Sequence, residues 1–364
     1  MIQCIAITTG GGDAPGLNAV IRAVTLAGLN KGWRVLGIRE GYDGLLFPER
    51  YEQGGMIELT RDAVRGIVHR GGTILGTTNR GNPFEMRVKD EDGTERKVDL
   101  SDTLIQRLKE QGIDAVVSIG GDGSMEIANQ LSQKGVWVVG VPKTIDNDLE
   151  GTVETFGFES AVEFATECIG RLHSTAESHR RVMVVEVMGR HAGWIALHAG
   201  VAGSADVILM PEIPYNIQKV AERIQQRNAV GRGFSIVVVA EGAIPQGGES
   251  VYRIIGDVAR LGGVGNLVAE QLRGLIPNEL RAVVLGHLLR GGAPTANDRL
   301  LALRFGAAAV RALEEGYFGY MVALAPPDVR YVPLEECTRR TKTVPLDCDT
   351  VLTARALGIS FGDA

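Results

Sequence analysis

Residues 142–148 read PKTIDND, one lysine set beside a threonine hydroxyl, two carboxylates and an amide, and residues 120–124 read GGDGS, one aspartate among three glycines. Asp146 and Asp148 stand two positions apart. A carboxylate at such a place suits a general base that takes a proton from a hydroxyl, with its neighbour supporting a metal or the geometry. The alternative is a pair of turn-forming or helix-capping acids. Lys143 and Thr144, in the same stretch, are candidates to touch phosphate. A third stretch, TTGGGDAPG, is again glycine-rich and covers residues 8–16. Glycines at 10–12 and at 120, 121 and 123 would bare backbone N–H groups at helix starts, an arrangement that favours phosphate, although a glycine turn can equally serve only to close the backbone. Asp122 adds a carboxylate to those amides, which makes chemical sense where Mg²⁺ bridges carboxylate and phosphate.

Cationic and acidic residues recur near the ends of apolar stretches. SHRRV (178–182), MGRHAGW (188–194) and GHLLRGGAPTANDR (286–299) bring Arg181, Arg190, His287 and Arg290, and VVVAEG brings Glu241 near its end. An isolated arginine is usually a solvated rim residue, whereas several near one cleft suggest bidentate phosphate binding. Glu241 could accept sugar hydroxyls.

Other chemistries find no support. The chain lacks G-x-x-x-x-G-K-[ST] and the protein-kinase H-R-D and D-F-G set. Its net charge of −6 argues against a nucleic-acid partner bound through a basic surface. Four cysteines without a C-x-x-C pair read as reduced thiols of a cytoplasmic protein. The six histidines form no H-E-x-x-H, and His191 and His198, seven apart, read as packing residues rather than metal ligands. No signal segment and no apolar run near 18 residues is visible, so no membrane partner is expected.

The elements that must hold these residues alternate. CIAIT, a glycine turn, the helical spacing of NAVIRAVTLAGL and the strand WRVLGI open the chain. The same order returns as a helix over 101–111, the strand DAVVSIG, a glycine turn, a helix over 124–133 and the strand WVVGV. Further strands are expected at 182–188, 206–211, 234–242 and 281–288, with helices between. Continuous apolar strands alternating with helices predict parallel sheets covered on both faces, and ligands then bind beyond the carboxyl ends of the strands. The fold class is α/β, with two doubly wound, mainly parallel units and the site in the cleft between them. The expected division is 1–145 for the phosphate donor, 146–310 for the acceptor, and a C-terminal segment 311–364 that packs back on the units. Residues 83–99 are charged and apolar-poor, hence a surface loop or hairpin.

Taken together, GGDAPGLNAVIR, GGDGS, PKTIDND, GFESA, VVEVMGRHAGWIA and RAVVLGHLLRGGAPTANDR resemble the 6-phosphofructokinases, in order over roughly residues 1–325. The resemblance implies transfer of a phosphoryl group to the 1-hydroxyl of fructose 6-phosphate, with Mg²⁺ and ATP. It makes Asp146 the base and Arg190 the group that steadies the transferring phosphoryl, with Thr144 beside them. It places Gly11, Tyr42, Arg80, Asp122, Gly123, Ser124 and Lys143 at the donor, with Asp122 on the metal. Thr144, Asp146, Asp148, Met188, Gly189, Arg190, Glu241, His287 and Arg290 would meet the sugar phosphate. Arg181 and Arg281 would come from a neighbouring subunit, implying a homo-oligomer, dimer or tetramer.

The family divides by donor. Its bacterial ATP enzymes resemble GGDGS with PGTIDND, and its pyrophosphate enzymes GGDD with PKTIDND. This chain combines the ATP-like Gly123 with the pyrophosphate-like Lys143. A carboxylate at 123 would occupy the space of an α-phosphate and repel its charge, whereas a cation at 143 helps either donor, so ATP is expected and pyrophosphate is the alternative. Ile127 stands where the ATP enzymes carry glycine, Asn79 is an alternative match to Arg80, and of the bacterial effector positions Arg22 is kept while Leu26, His173 and Val230 replace basic residues. A kinase acting on NAD or a lipid could share GGDG but gives no reason for MGRHAGW or HLLRGGAP. A non-catalytic sugar-phosphate sensor would be expected to lose Asp122 or Asp146.

Overall fold

The computed structural model describes residues 1–89, 95–255 and 258–363. The chain forms two compact units, one of residues 1–144, 149–157 and 290–340, the other of residues 145–148, 158–289 and 341–364.

The first unit is built on a seven-stranded sheet. Its order is Asp328–Pro333, Tyr320–Ala325, Trp137–Pro142, Ala115–Gly120, Cys4–Thr9, Arg34–Ile38 and Met56–Glu58. The five inner strands run parallel and the two outer ones antiparallel. Alternation along each strand feeds two cores. Ile5, Ile7, Val117, Ile119, Val139 and Val141 face a core shared with the helices Leu17–Asn30 and Ala296–Glu315. Cys4, Ala6, Val116 and Val138 face another shared with Ser101–Glu110 and Asp122–Gln133. The parallel strands are therefore largely apolar because both faces are covered.

The second unit carries a four-stranded parallel sheet in the order Leu280–Val284, Val182–Val187, Ser235–Ala240 and Val207–Leu209. Val182, Val184, Val237 and Val239 pack against the helices Ile217–Ala229 and Val264–Leu272. The alternate residues Met183, Val185, Ile236 and Val238 are buried on the other face. The expectation of two doubly wound, mainly parallel units thus holds.

Three local readings change. The helix expected from 124 begins at Asp122, because Gly121 serves as its N-cap and an acidic first residue complements the positive end of the helix dipole. The strand expected to reach 288 ends at Val284, and a 3₁₀ turn, Gly286–Arg290, takes over and carries both His287 and Arg290. Strands Tyr320–Ala325 and Asp328–Pro333 form a hairpin that extends the first sheet, where the sequence reading named no strand. Residues 83–99 do contain a hairpin, Met86–Lys89 with Glu95–Val98; its tip lies outside the described residues.

Candidate active site

In the first unit the strand ends bring three of the singled-out stretches together. The Gly10 N–H donates to Ile119 O at 3.0 Å and the Lys143 N–H to Gly120 O at 2.8 Å. Lys143 is 3% exposed, and its ammonium donates to the Gly12 carbonyl. A cation is thus stored under the glycine loop. Gly11 holds a left-handed backbone, φ +77°, which glycine adopts without penalty. Its N–H donates to Thr78 O at 3.0 Å, and its carbonyl accepts from the Thr77 hydroxyl at 2.6 Å.

Ser124 occupies the gap between the two glycine loops. A methyl group built on Gly120 would lie 2.1 Å from the Ser124 hydroxyl oxygen, and one on Gly10 would lie 2.7 Å from it. These two glycines are therefore needed for close packing onto the helix start. Gly123 is different, since a methyl group there meets nothing within 4 Å. Asp122 and Gly123 are both exposed in the first turn of the helix, where unsatisfied N–H groups and the dipole favour an anion.

The remaining donor-site candidates differ in setting. Arg80 lies on an exposed segment, its N–H donating to the Thr78 hydroxyl at 3.1 Å. Tyr42 is 4% exposed within an apolar cluster with Leu45, Leu46 and Met86, and burial pushes its phenol up to about 12. Arg290 belongs to this unit; its guanidinium donates to Asp13 O at 3.2 Å and lies against Gly12, where a methyl group would stand 2.8 Å from it. The buried Thr144 follows Lys143, its carbonyl accepting from the Thr155 hydroxyl at 2.8 Å.

The second unit holds the acidic candidates. Asp146 is buried, and the Arg190 guanidinium stands 3.6 Å from its carboxylate. Asn147 and Arg190 both have φ of +52°, a left-handed backbone uncommon for residues with a side chain and found where the surroundings over-determine it. Asp148 is also buried. The Glu241 carboxylate accepts the N–H groups of Gly189 (3.3 Å) and Arg190 (3.0 Å), and so fixes the loop that carries Arg190. Burial raises the Glu241 carboxyl above the usual range, partly opposed by those two N–H donors. Met188, Glu241 and His287 line one cavity of about 180 Å³, together with Glu186 and Gly263.

Glu186, Glu279 and Glu212 escaped the sequence reading. Glu186, buried inside a valine-rich strand, accepts the N–H groups of Gly263 (2.9 and 3.0 Å) and Gly265 (2.8 Å) at the start of the helix Val264–Leu272. Only its charge, interrupting the run VMVVEVM, could have drawn attention to it. Glu279 pairs with both Arg181 and Arg281, which brings those two arginines together, and they hold its carboxyl below the usual range. Glu212 accepts the N–H groups of Gly193 and Val344, each at 2.9 Å. His198, in contrast, is a packing residue. It lies edge-on to Phe158 and Trp194 at 5.2 and 6.0 Å, and burial lowers its pKa. Among the described residues no cluster of three metal-ligating side chains forms.

Residues 4–313 match the phosphofructokinase family. Over 368 aligned residues the chain is 51% identical to an ATP-dependent 6-phosphofructokinase 2 of Clostridium perfringens, covering 100% of this chain and 99% of the relative. It is 50% identical to a pyrophosphate–fructose 6-phosphate 1-phosphotransferase of Amycolatopsis methanolica, over 94% of this chain and 96% of that one. The phosphofructokinase structure from Saccharomyces cerevisiae superposes with a TM-score of 0.75 at 33% identity, over 93% of this chain, which spans 45% of the yeast chain. The chain belongs to the phosphofructokinase family.

Proposed function

We propose that the protein transfers the γ-phosphoryl group of ATP to the 1-hydroxyl of D-fructose 6-phosphate, giving fructose 1,6-bisphosphate, as a step of glycolysis. The observation that carries this reading is the half identity, end to end, with a relative named as ATP-dependent. The open space at Gly123, on a helix start that favours anions, supports ATP over pyrophosphate, because an α-phosphate needs room there. The pyrophosphate-dependent relative and the buried Lys143 favour the second reading. A coupled assay with fructose 6-phosphate and either donor separates the two.

In this reading Asp146 accepts the proton of the 1-hydroxyl as its oxygen attacks the γ-phosphorus and ADP leaves. Arg190, on a half-exposed side chain beside that carboxylate, neutralises charge on the phosphoryl oxygens. Glu241, His287 and Met188, on one cavity wall, orient the sugar, and Thr144 and Asp148 complete the acceptor contacts. Gly11, Lys143, Ser124 and Arg80 serve the donor. Arg290 is assigned to the sugar phosphate by family resemblance, and its guanidinium on the glycine loop is a suitable phosphate ligand.

Asp122 fits a Mg²⁺ ion. It is an exposed carboxylate beside helix N–H groups, and Mg²⁺ commonly takes one or two carboxylates, with phosphate oxygens and water as its other ligands. When bound, the ion would offset negative charge on the donor phosphates.

The pair Arg181 and Arg281, joined by the exposed Glu279, is assigned to the sugar phosphate of a neighbouring subunit, in a homo-oligomer of two or four chains. A cytoplasmic setting agrees with the free thiols of Cys4, Cys168, Cys337 and Cys348. Among the described residues no helix is long and apolar enough to cross a membrane.

A further inference from the structure

The C-terminal segment reaches the two residues that follow the proposed base. Polar contacts of Lys342 in the second unit include three that bear on the site. Its ammonium donates to the Asn147 side-chain oxygen at 2.9 Å, and its N–H donates to the Asp148 carbonyl at 2.8 Å. Its carbonyl accepts from the Trp194 indole N–H at 3.0 Å. The ammonium also stands 5.5 Å from the centre of the Trp194 ring. Two residues on, the Val344 N–H donates to the same Glu212 oxygen that accepts the Gly193 N–H. A short piece of chain thereby grips both loops that carry the Asp146–Arg190 pair. One grip lies one and two residues past Asp146, the other three and four residues past Arg190.

We propose that Lys342 is a positioning residue for phosphoryl transfer, holding Asn147, and through it Asp146, in the geometry the reaction needs. The proposal rests on the reading of Asp146 as the base. Asn147 and Arg190 share the left-handed backbone of φ +52°, which persists only where contacts enforce it. Any residue but proline at 342 could make the two backbone contacts, to Asp148 and Trp194. Only a cationic or amide head on a long stem supplies the third, to Asn147. That contact is where this side chain acts on the base.

The test is steady-state kinetics of the full chain with ATP and fructose 6-phosphate for Lys342→Met, Lys342→Arg, Asn147→Gly and Asp146→Asn. Lys342→Met keeps the stem and both backbone contacts. Its kcat should fall about 10- to 100-fold, the scale of a displaced catalytic group, while both KM values and the binding of ATP stay as in wild type. Lys342→Arg should recover part of the loss. Asn147→Gly keeps the left-handed backbone and removes the acceptor, so it carries the same expectation if Lys342→Met does not fold. Combining Lys342→Met with Asn147→Gly should cost little beyond either alone. Wild-type kcat in the folded Met or Gly variant, or fully multiplicative losses in the double variant, would overturn the proposal. If Asp146→Asn loses turnover while Lys342→Met does not, only the positioning role falls. If Asp146→Asn keeps turnover, the base reading falls and takes this one with it.

Discussion

The Arg190 guanidinium lies 3.6 Å from the carboxylate of Asp146, yet the arginine side chain is 46% exposed and the aspartate 2%. The acid is enclosed, while the cation at its edge is open to solvent. Asp146→Asn keeps the shape and removes the proposed base. Its kcat should fall by about 10² to 10⁴ with sugar-phosphate binding largely retained. Turnover and binding measured on the same preparation check this, and near-normal kcat would remove Asp146 from the mechanism.

Gly120 and Ser124 make a packing prediction. A methyl group on Gly120 would meet the Ser124 oxygen at 2.1 Å and its Cβ at 2.2 Å. Gly120→Ala should therefore destabilise the protein by about 1–3 kcal/mol, the usual cost of overpacking. Adding Ser124→Gly removes both colliding atoms and should recover much of the loss, less about 1 kcal/mol for glycine inside a helix. Thermal unfolding of the single and double variants decides it. A double variant less stable than Gly120→Ala would show that Ser124 does not fill this gap.

Much of this architecture was legible. The apolar runs CIAIT, DAVVSIG and WVVGV are strands because both faces of the sheet are covered, and the glycine loops fall at their carboxyl ends as expected for parallel sheets. The boundaries that shifted did so for local reasons. Asp122 begins its helix because Gly121 can serve as the cap. The hairpin Tyr320–Ala325 with Asp328–Pro333, which turns at Pro326 and Pro327, was not among the strands the sequence suggested. The supporting carboxylates were harder to see. Glu212 acts on Val344, 132 positions away, and Lys342 acts on Asn147, 195 positions away. No local pattern encodes such pairings, which exist only once the unit has folded.

Glu212 gives a pH prediction. Burial raises its carboxyl above the usual range, with the Val344 and Gly193 N–H donors opposing. A raised folded-state pKa means that the folded protein binds the proton more tightly than the unfolded chain. The associated stability is present below the ordinary carboxylate range and is lost as pH rises through the folded-state value. Glu212→Gln keeps an oxygen for both donors and removes the titration. Its stability should fall less steeply with pH above the ordinary carboxylate range. Asp206 and Glu241, also raised by burial, leave some slope in place. Denaturant unfolding at a series of pH values measures this, and an unchanged slope would argue against Glu212 as a contributor.

Arg181 and Arg281 test the shared site. Both pair with Glu279, and the proposed function assigns them to a neighbour's sugar phosphate. Arg281→Ala and Asp146→Asn, each nearly inactive alone, should regain some activity when their subunits are mixed, because hybrid oligomers contain intact sites. Absence of recovery despite demonstrated subunit exchange would argue against a composite site.

The central claim is that Gly123 admits ATP and that Lys143 does not select the donor. The space around Gly123 is open, with nothing within 4 Å of an added methyl group, so Gly123→Asp should fold normally and place its carboxylate where the α-phosphate is proposed to lie. The most direct measurement is kcat/KM with fructose 6-phosphate and Mg²⁺ for ATP and for pyrophosphate, in wild type, Gly123→Asp and Lys143→Gly. Wild type should prefer ATP, and Gly123→Asp should lose ATP use by several orders of magnitude. Lys143→Gly should keep ATP as donor with a loss of about 10- to 150-fold, the worth of one charge-assisted contact. A wild type that prefers pyrophosphate, or a Gly123→Asp variant that uses ATP as well as wild type does, would contradict the account.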